Sequence, residues 1–380
     1  MIKILYALNG SFNKGGTEAF VINYYKNIDR TMFHIDFLVH ADQESNKNNE
    51  IHQFLEESGS KIFYVTPRGV SYKKNIKDIN QVLKENHYDI IHSHMDEAGS
   101  FLFKIAKKYG YKVRIAHSHN TKHQLKITNL KSFMHISVLE YARLRLRKLA
   151  TGFIACSTEA GIWLFGDSNI KNNKVKIINN AIKTKDFSYN QDVRQEYRKK
   201  LNVEDNYVLG HIGRFDDQKN HIFLIEIFKK VHEKNKNAIL LLIGSGRLEG
   251  EIKTKVNSLG LAEHVIFYGV TNEANHLMQA MDLFLLPSLF EGLPFVGIEV
   301  QASGLKSIIS ENVSKELKIT DNVEFLPINS ADAWANRIEY YINHGYERRD
   351  TSTEIKQAGY DIETNVSSLE NYYMNCLKLK

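Results

Sequence analysis

Asp282-Leu283-Phe284-Leu285-Leu286-Pro287-Ser288-Leu289-Phe290-Glu291-Gly292-Leu293-Pro294-Phe295-Val296-Gly297-Ile298-Glu299 is the stretch on which the fold turns. Its first half is a short apolar run ended by proline, which reads as a buried strand. Its second half, roughly Val296 to Ser303, has the pattern of a helix. A strand–loop–helix junction presents free backbone N–H groups at the helix N-terminus, a natural seat for a phosphate. Glu291 stands just before that seat and Glu299 one turn inside the helix. Carboxylates are poor phosphate ligands but good acceptors for sugar or ribose hydroxyls beside one. A nucleotide-sugar has both parts.

Working outward, the same strand-then-helix unit recurs through both halves. In the first half strands are expected at Ile2–Leu8, Ile35–Val39, Lys61–Val65, Ile90–His92, Val113–His117 and Gly152–Ala155. Gly16–Asn27, Asn75–Glu85 and Ala98–Lys108 read as helices between them. In the second half the strands fall at Tyr207–Gly213, Ala238–Ile243, Val265–Tyr268, Leu283–Leu286, Lys306–Ile309 and Val323–Leu326, with helices at His221–His232 and Leu248–Leu259 among them. This alternation implies α/β architecture with parallel sheets covered on both faces. Two runs of it imply two doubly wound, Rossmann-like domains, with ligands at the carboxyl ends of their strands and a cleft where the domains face. The expected division is residues 1–185, 186–364 and a closing helix over 365–380.

At 380 residues, 43% apolar and 25% charged, the composition is that of an ordinary globular protein of two domains. No apolar run reaches the ~18 residues of a membrane span. Cys156 and Cys376 are the two cysteines, so no disulfide framework is implied and a cytoplasmic location is the expectation. A net charge of +6 suits anionic ligands or an anionic surface, and nothing patterned suggests nucleic acid.

Several motifs sit at strand ends. Gly15-Gly16 lies in the loop after the first strand, where adjacent glycines let backbone approach an anion; a flexible turn is the plainer reading. Gly213-Arg214-Phe215 with Lys219 delivers two cations that could hold a diphosphate, bidentately from Arg and as a point charge from Lys. Solvated surface cations are the alternative. Gly244-Ser245-Gly246 is a further loop for close backbone approach. Main-chain groups around Val270, in Tyr268-Gly269-Val270-Thr271-Asn272, could read a base edge or simply turn the chain. His92-Ser93-His94 and His117-Ser118-His119 end neighbouring strands. Such histidines can donate to a sugar hydroxyl or leaving oxygen, bind zinc, or be satisfied within the core. With no cysteine or carboxylate cluster beside them, no metal is assigned. Lys122–Ala150 combines Lys122, Lys126, Lys131, Arg143, Arg145, Arg147 and Lys148 with Leu125, Ile127, Leu130, Phe133, Met134, Ile136, Val138 and Leu139. It fits either a basic amphipathic element on an anionic membrane or a core helix with a solvated basic face.

With these pieces in order, the chain resembles retaining glycosyltransferases of family 4, the two-domain GT-B class, and most of all the bacterial enzymes that build capsular and exopolysaccharides. The resemblance spans essentially the whole chain. Its most specific element is the E-x7-E motif from Glu291 to Glu299, supported by Gly213-Arg214-Phe215, Lys219, Gly15-Gly16, Cys156-Ser157 and Asn179-Asn180. It implies that Glu291 contacts the donor sugar, that Glu299 holds the ribose, and that Arg214 and Lys219 neutralise the diphosphate. Leu293, Pro294, Phe295 and Val296 would supply the backbone around phosphate and sugar, with Gly16, Gly244 and Val270 completing the donor site. His117, or in a competing alignment His119, would be the histidine of the cleft. The implied reaction moves a sugar from a nucleoside diphosphate sugar, a UDP-sugar for preference, to an acceptor hydroxyl such as a lipid-linked glycan. Two departures stand out. The hinge reads Asn180-Ala181-Ile182-Lys183, without the family's frequent aspartate, and Lys306 stands where a proline often follows Gly-Leu. The absence of any D-x-D leads to an expectation of metal independence with no cofactor. A nucleotide-sugar epimerase of the same fold and a non-catalytic binding subunit share the phosphate site, whereas a dinucleotide dehydrogenase lacks its Gly-x-Gly-x-x-Gly after the first strand.

Overall fold

The computed structural model describes residues 1–10, 12, 15–46, 49–123 and 129–378. The first sheet contains β1 (Ile2–Leu8), β2 (Phe33–Val39), β3 (Ile62–Tyr64), β4 (Ile90–His94), β5 (Val113–Ser118), β6 (Gly152–Ala155) and β7 (Lys176–Ile177). The second contains β8 (Tyr207–Ile212), β9 (Ala238–Ile243), β10 (Val265–Gly269), β11 (Leu283–Leu286), β12 (Ser307–Ser310) and β13 (Val323–Leu326). Every pairing is parallel. The strand orders are β3-β2-β1-β4-β5-β6-β7 and β10-β9-β8-β11-β12-β13.

Each order reverses direction once, between β1 and β4 in the first sheet and between β8 and β11 in the second. At such a reversal the loops leaving the two strands diverge to opposite faces and open a crevice at the carboxyl ends. The strands beside the reversals carry apolar stretches buried on both faces, as in Ile4–Ala7 and Leu283–Leu286. That uninterrupted burial is what helices on both sides of a parallel sheet require.

The chain divides into two compact units, Met1–Asn180 with Ile362–Lys380, and Ala181–Asp361. The core of the first gathers Leu5, Ile91, Leu102, Phe103 and Phe165, and that of the second Leu209, Leu224, Phe228, Leu240 and Trp334. The C-terminal helix, Ile362–Lys378, returns to the first unit. Its polar groups fasten it there. Asn365 Oδ1 accepts from Asn179 N at 3.3 Å, Glu370 Oε1 from Asp29 N at 2.8 Å, and Tyr372 Oη from Phe153 N at 2.8 Å. No helix among the described residues is long and apolar enough to cross a membrane.

Candidate active site

In the second unit the reversal between β8 and β11 assembles a charged cluster. The loop after β11 carries Glu291, and the turn after β8 carries Gln218 and Lys219. Leu289 N donates to Gln218 O at 2.8 Å, and Asn220, in a left-handed conformation at φ +57, donates from Nδ2 to Pro287 O at 3.1 Å. These bonds stitch the two loops together. Lys219 Nζ consequently lies 2.7 Å from Glu291 Oε1, with the side chains only 14% and 11% exposed. Gln218 Nε2 donates to Glu291 Oε2 at 3.2 Å, and Ser288 Oγ is 3.2 Å from Oε1. Glu291 is thus held by a cation, an amide and a hydroxyl before any ligand arrives.

Two glycines make room for this. A side chain at Gly213 would press on Lys219 Cε at 2.9 Å, so the lysine stem passes directly over the glycine. Gly244 has φ +132, and a Cβ there would overlap Gly213 O. The loop 244–246 is further tied in by Phe215 N donating to Ser245 O at 2.9 Å. Beneath, His211 is buried and donates from Nδ1 to Leu285 O at 2.8 Å, and its Nε2, near the Gly213 turn, has no partner among the described residues. Burial, then His221 and Lys219, push its pKa well below the usual range, so the ring is neutral.

Immediately after Glu291 the helix Phe295–Ala302 begins, with Pro294 as an N-cap that makes no side-chain capping bond. Proline preceding a helix removes one orphan N–H, and Gly297 N donates back to Pro294 O at 3.0 Å. Leu293, Phe295 and Val296 are buried around it. Glu299, one turn in, keeps part of its surface open but is crowded by protein atoms. Burial raises its carboxyl to about 7, against a lowering contribution from Lys219. Arg214 is not brought into the cluster. It is 58% exposed, with Nε 3.7 Å from Asp216 Oδ2. Val270 is exposed just past β10.

In the first unit, Gly16 opens the helix Gly16–Asn27 behind Gly15, whose side of the turn has no capping side chain. Among the described residues a Cβ at Gly16 would meet nothing within 4 Å, so they leave room for a larger residue there. Ser11, Asn13 and Lys14 of this loop lie outside the described residues. At the ends of β4 and β5, His92, His94, His117 and His119 stand together. The two members of each H-x-H pair share one face of their strand, as alternate residues do. They form two rungs: His92 Nε2 to His117 Nδ1 at 3.2 Å, and His94 Nδ1 to His119 Nε2 at 3.0 Å. His117 has no exposed surface, and His119 is the one nearer solvent. Burial first, then mutual proximity, holds His117 and His94 far below the ordinary histidine pKa, and burial brings His119 to about 3. Nitrogens of His92, His94 and His117 lie within 4.8 Å of one another, close enough to be considered for an ion. The rungs already engage all three rings, and His117 stacks on His119. Asp96, at φ +45, anchors the β5 loop by accepting from His119 N at 2.8 Å and Asn120 Nδ2 at 2.7 Å.

The segment after β5 forms the helix Leu130–Leu149, capped by Asn129 and Ser132. Leu125, Lys126 and Ile127 lie outside the described residues. Arg143 and Arg147 turn inward, donating to Trp163 O at 2.7 Å and Leu164 O at 3.0 Å. The outward face is apolar instead: Leu130, Phe133, Met134, Val138, Tyr141 and Leu144 are all exposed, at spacings that put them on one side of the helix.

Sequence reasoning missed Gln218, Ser288 and Asp96. Gln218 adjoins a residue it did find, but an amide's role as a brace for a carboxylate has no local signature.

Comparison with known proteins agrees across the chain. The model of Glycosyltransferase Family 4 matches residues 14–186, and that of Glycosyl transferases group 1 matches residues 193–360. EpsF of Bacillus subtilis (strain 168) is 32% identical over 380 residues, covering 98% of this chain and 96% of its own length. CapH of Staphylococcus aureus, a capsular polysaccharide biosynthesis glycosyltransferase by name, is 24% identical over 390 residues, 99% of each. Among solved structures, Anabaena HepE in complex with UDP-glucose superposes with a TM-score of 0.78 at 19% identity, covering 99% of this chain and 100% of that one. The two doubly wound units are those of the GT-B fold, and the chain belongs to the family 4, group 1 glycosyltransferases.

Proposed function

We propose that the protein transfers a sugar from a nucleoside diphosphate sugar, a UDP-sugar by chemistry and by likeness to HepE, to an acceptor hydroxyl, with retention of anomeric configuration and without a metal. The observation that carries this reading is the preassembled Glu291 cluster at the β8/β11 reversal, directly ahead of an uncapped helix N-terminus. Glu291 contacts the sugar, Glu299 the ribose, and the helix start with Leu293, Pro294, Phe295 and Val296 the phosphate. As the diphosphate leaves, negative charge grows on it while the sugar becomes oxocarbenium-like. Lys219, the helix N-terminus and Arg214 offset that charge, and a single donor of this kind typically contributes ~10²–10³ in rate. Arg214, exposed and loosely paired, is free to swing onto phosphate. A covalent route would need a carboxylate beneath the anomeric carbon; Glu291 is already committed to Lys219, which favours same-face substitution assisted by the leaving phosphate. Metal independence rests on the absence of a D-x-D in the sequence.

The acceptor is a lipid-linked glycan in surface polysaccharide assembly, the pathway class named for CapH. Its support on this chain is the exposed apolar face of Leu130–Leu149 with Arg145 and Lys148 beside it, suited to lie on an anionic inner membrane surface. Incubating the purified protein with a panel of nucleoside diphosphate sugars, with and without lipid-linked acceptor, tests the reading. One donor should release its nucleotide only when acceptor is present. Release of free sugar without acceptor would point instead to an epimerase or hydrolase.

A further inference from the structure

At the reversal of the first sheet, between β1 and β4, one cation ties the diverging loops together. Arg68 stands in the turn after β3, where Pro67 O accepts from Val70 N at 3.0 Å and from Ser71 N at 3.1 Å. Its Nη1 donates to Ala98 O at 3.1 Å, beyond β4, and its Nη2 to Asn9 Oδ1 at 3.0 Å, just past β1. The guanidinium lies over the ring of Phe101, 5.2 Å from its centroid. Tyr72, 51% exposed, meets that ring edge-on at 6.1 Å. A half-buried cation with an open aromatic neighbour thus sits where a doubly wound sheet binds its ligands.

The charge of Arg68 is not matched within the protein. It forms no ion pair among the described residues, and its two acceptors, the Ala98 carbonyl and the Asn9 amide, are uncharged. Two carboxyls follow β4, and both have other partners. Glu97 lies 3.3 Å from His123 Nδ1, and Asp96 accepts from His119 N and Asn120 Nδ2. His40 donates from Nδ1 to Leu8 O at 3.0 Å. Burial, then Arg68, bring its pKa to about 4, so that ring is neutral. An arginine has five N–H donors. Two are used here, and the other three have no partner among the described residues. A guanidinium drawn partly out of water gains most from a planar or phosphoryl oxyanion that takes two N–H groups at once.

We propose that Arg68 recognises an oxyanion carried by the acceptor, either the phosphate of a lipid-linked glycan or the carboxylate of an acidic sugar, with Tyr72 as an apolar platform beside it. The inference rests on the transfer reaction proposed above: with the donor site in the second unit, the crevice of the first takes the acceptor. Arg68 then sets acceptor choice by charge and leaves donor binding untouched.

The test is an NMR titration of the full chain, with UDP saturating the donor site. Citronellyl diphosphate is the lipid probe and methyl glucuronide the acidic-sugar probe, each set against its uncharged counterpart, citronellol or methyl glucoside. One charged probe should bind at least tenfold more tightly than its counterpart, and which one does so names the source of the oxyanion. Arg68→Gln, which can still donate to Ala98 O, should lose that preference while its UDP affinity stays unchanged. Arg68→Lys keeps the charge without the fork and should fall between the two. A wild type that binds neither charged probe overturns the proposal, and needs no variant to fold. So does an affinity for the charged probe that is equal in wild type and in both variants, or a variant that weakens charged and uncharged probes alike. In transfer assays Arg68→Gln should raise the acceptor KM about tenfold with donor KM unmoved. Transfer with an unmoved acceptor KM counts against this site alone. Arg68-dependent binding without transfer supports the site and counts against the reaction, which keeps the two readings separate.

Discussion

Glu291 and Lys219 form an ion pair that is nearly closed to water, and each therefore depends on the other. Removing one partner of a buried pair leaves an uncompensated charge, a cost that reaches several kcal/mol. Lys219→Met is expected to lower stability by about 3 kcal/mol, read from urea unfolding, whereas the double variant Lys219→Met/Glu291→Gln should recover much of that loss. Activity should not follow stability: both variants should lose transfer by ~10²–10³. Glu299 makes a different prediction. Its carboxyl sits at about 7 because burial disfavours the charge, and ribose hydroxyls are bound by the carboxylate. UDP affinity should therefore rise as pH increases from 6 to 8, when the proton leaves, and then level off. In Glu299→Gln this component should be missing, as calorimetry on both proteins at matched pH would show. An affinity profile identical in the two would remove Glu299 from the ribose site. The pair of glutamates was legible in the sequence because their spacing fixes them to one junction. What the sequence could not show is that Lys219 reaches Glu291 while Arg214 does not. Gly213 lets the lysine stem through, and the Asn220–Pro287 bond draws the two loops together, both of which depend on where two distant strands become neighbours.

At the scale of elements, the loops after β8 and β9 are interlocked by glycine. Gly244→Ala would force a methyl into Gly213 O from a backbone at φ +132, so it should destabilise the second unit by more than about 3 kcal/mol and lower UDP affinity with it. Gly16→Ala is the informative contrast. The space around it is open, so thermal unfolding should be unchanged or raised slightly, by the ~0.5–1 kcal/mol that alanine gains over glycine in a helix. If the loop approaches the donor phosphate, transfer should nonetheless fall; full activity would mean the glycine is only a turn. The helix Leu130–Leu149 was legible as amphipathic, but not which of its basic residues turn inward. Listing basic residues does not reveal that Arg143 and Arg147 satisfy the carbonyls of Trp163 and Leu164, which leaves an apolar face outward. Replacing Phe133, Met134 and Val138 together by serine should abolish flotation with anionic vesicles and leave the folded state intact. Flotation that persists would place the contact elsewhere.

Over the whole molecule, periodicity sufficed for the architecture, since a parallel sheet buries its strands on both faces and so writes uninterrupted apolar runs into the chain. That pattern names the strands but not their neighbours, so the strand orders came only with the structure. The return of Ile362–Lys378 to the first unit was less accessible, because its anchors, Asn365, Glu370, Tyr372 and Tyr373, are ordinary residues of an amphipathic helix whose partners lie hundreds of positions away. The central claim concerns the reaction, and the most direct measurement is 1H NMR of the linkage formed when the protein, an α-configured UDP-sugar and a lipid-linked acceptor react. The account predicts an α-linked product with one UDP released per bond formed. A β-linked product, or UDP released at the same rate without acceptor, would contradict it.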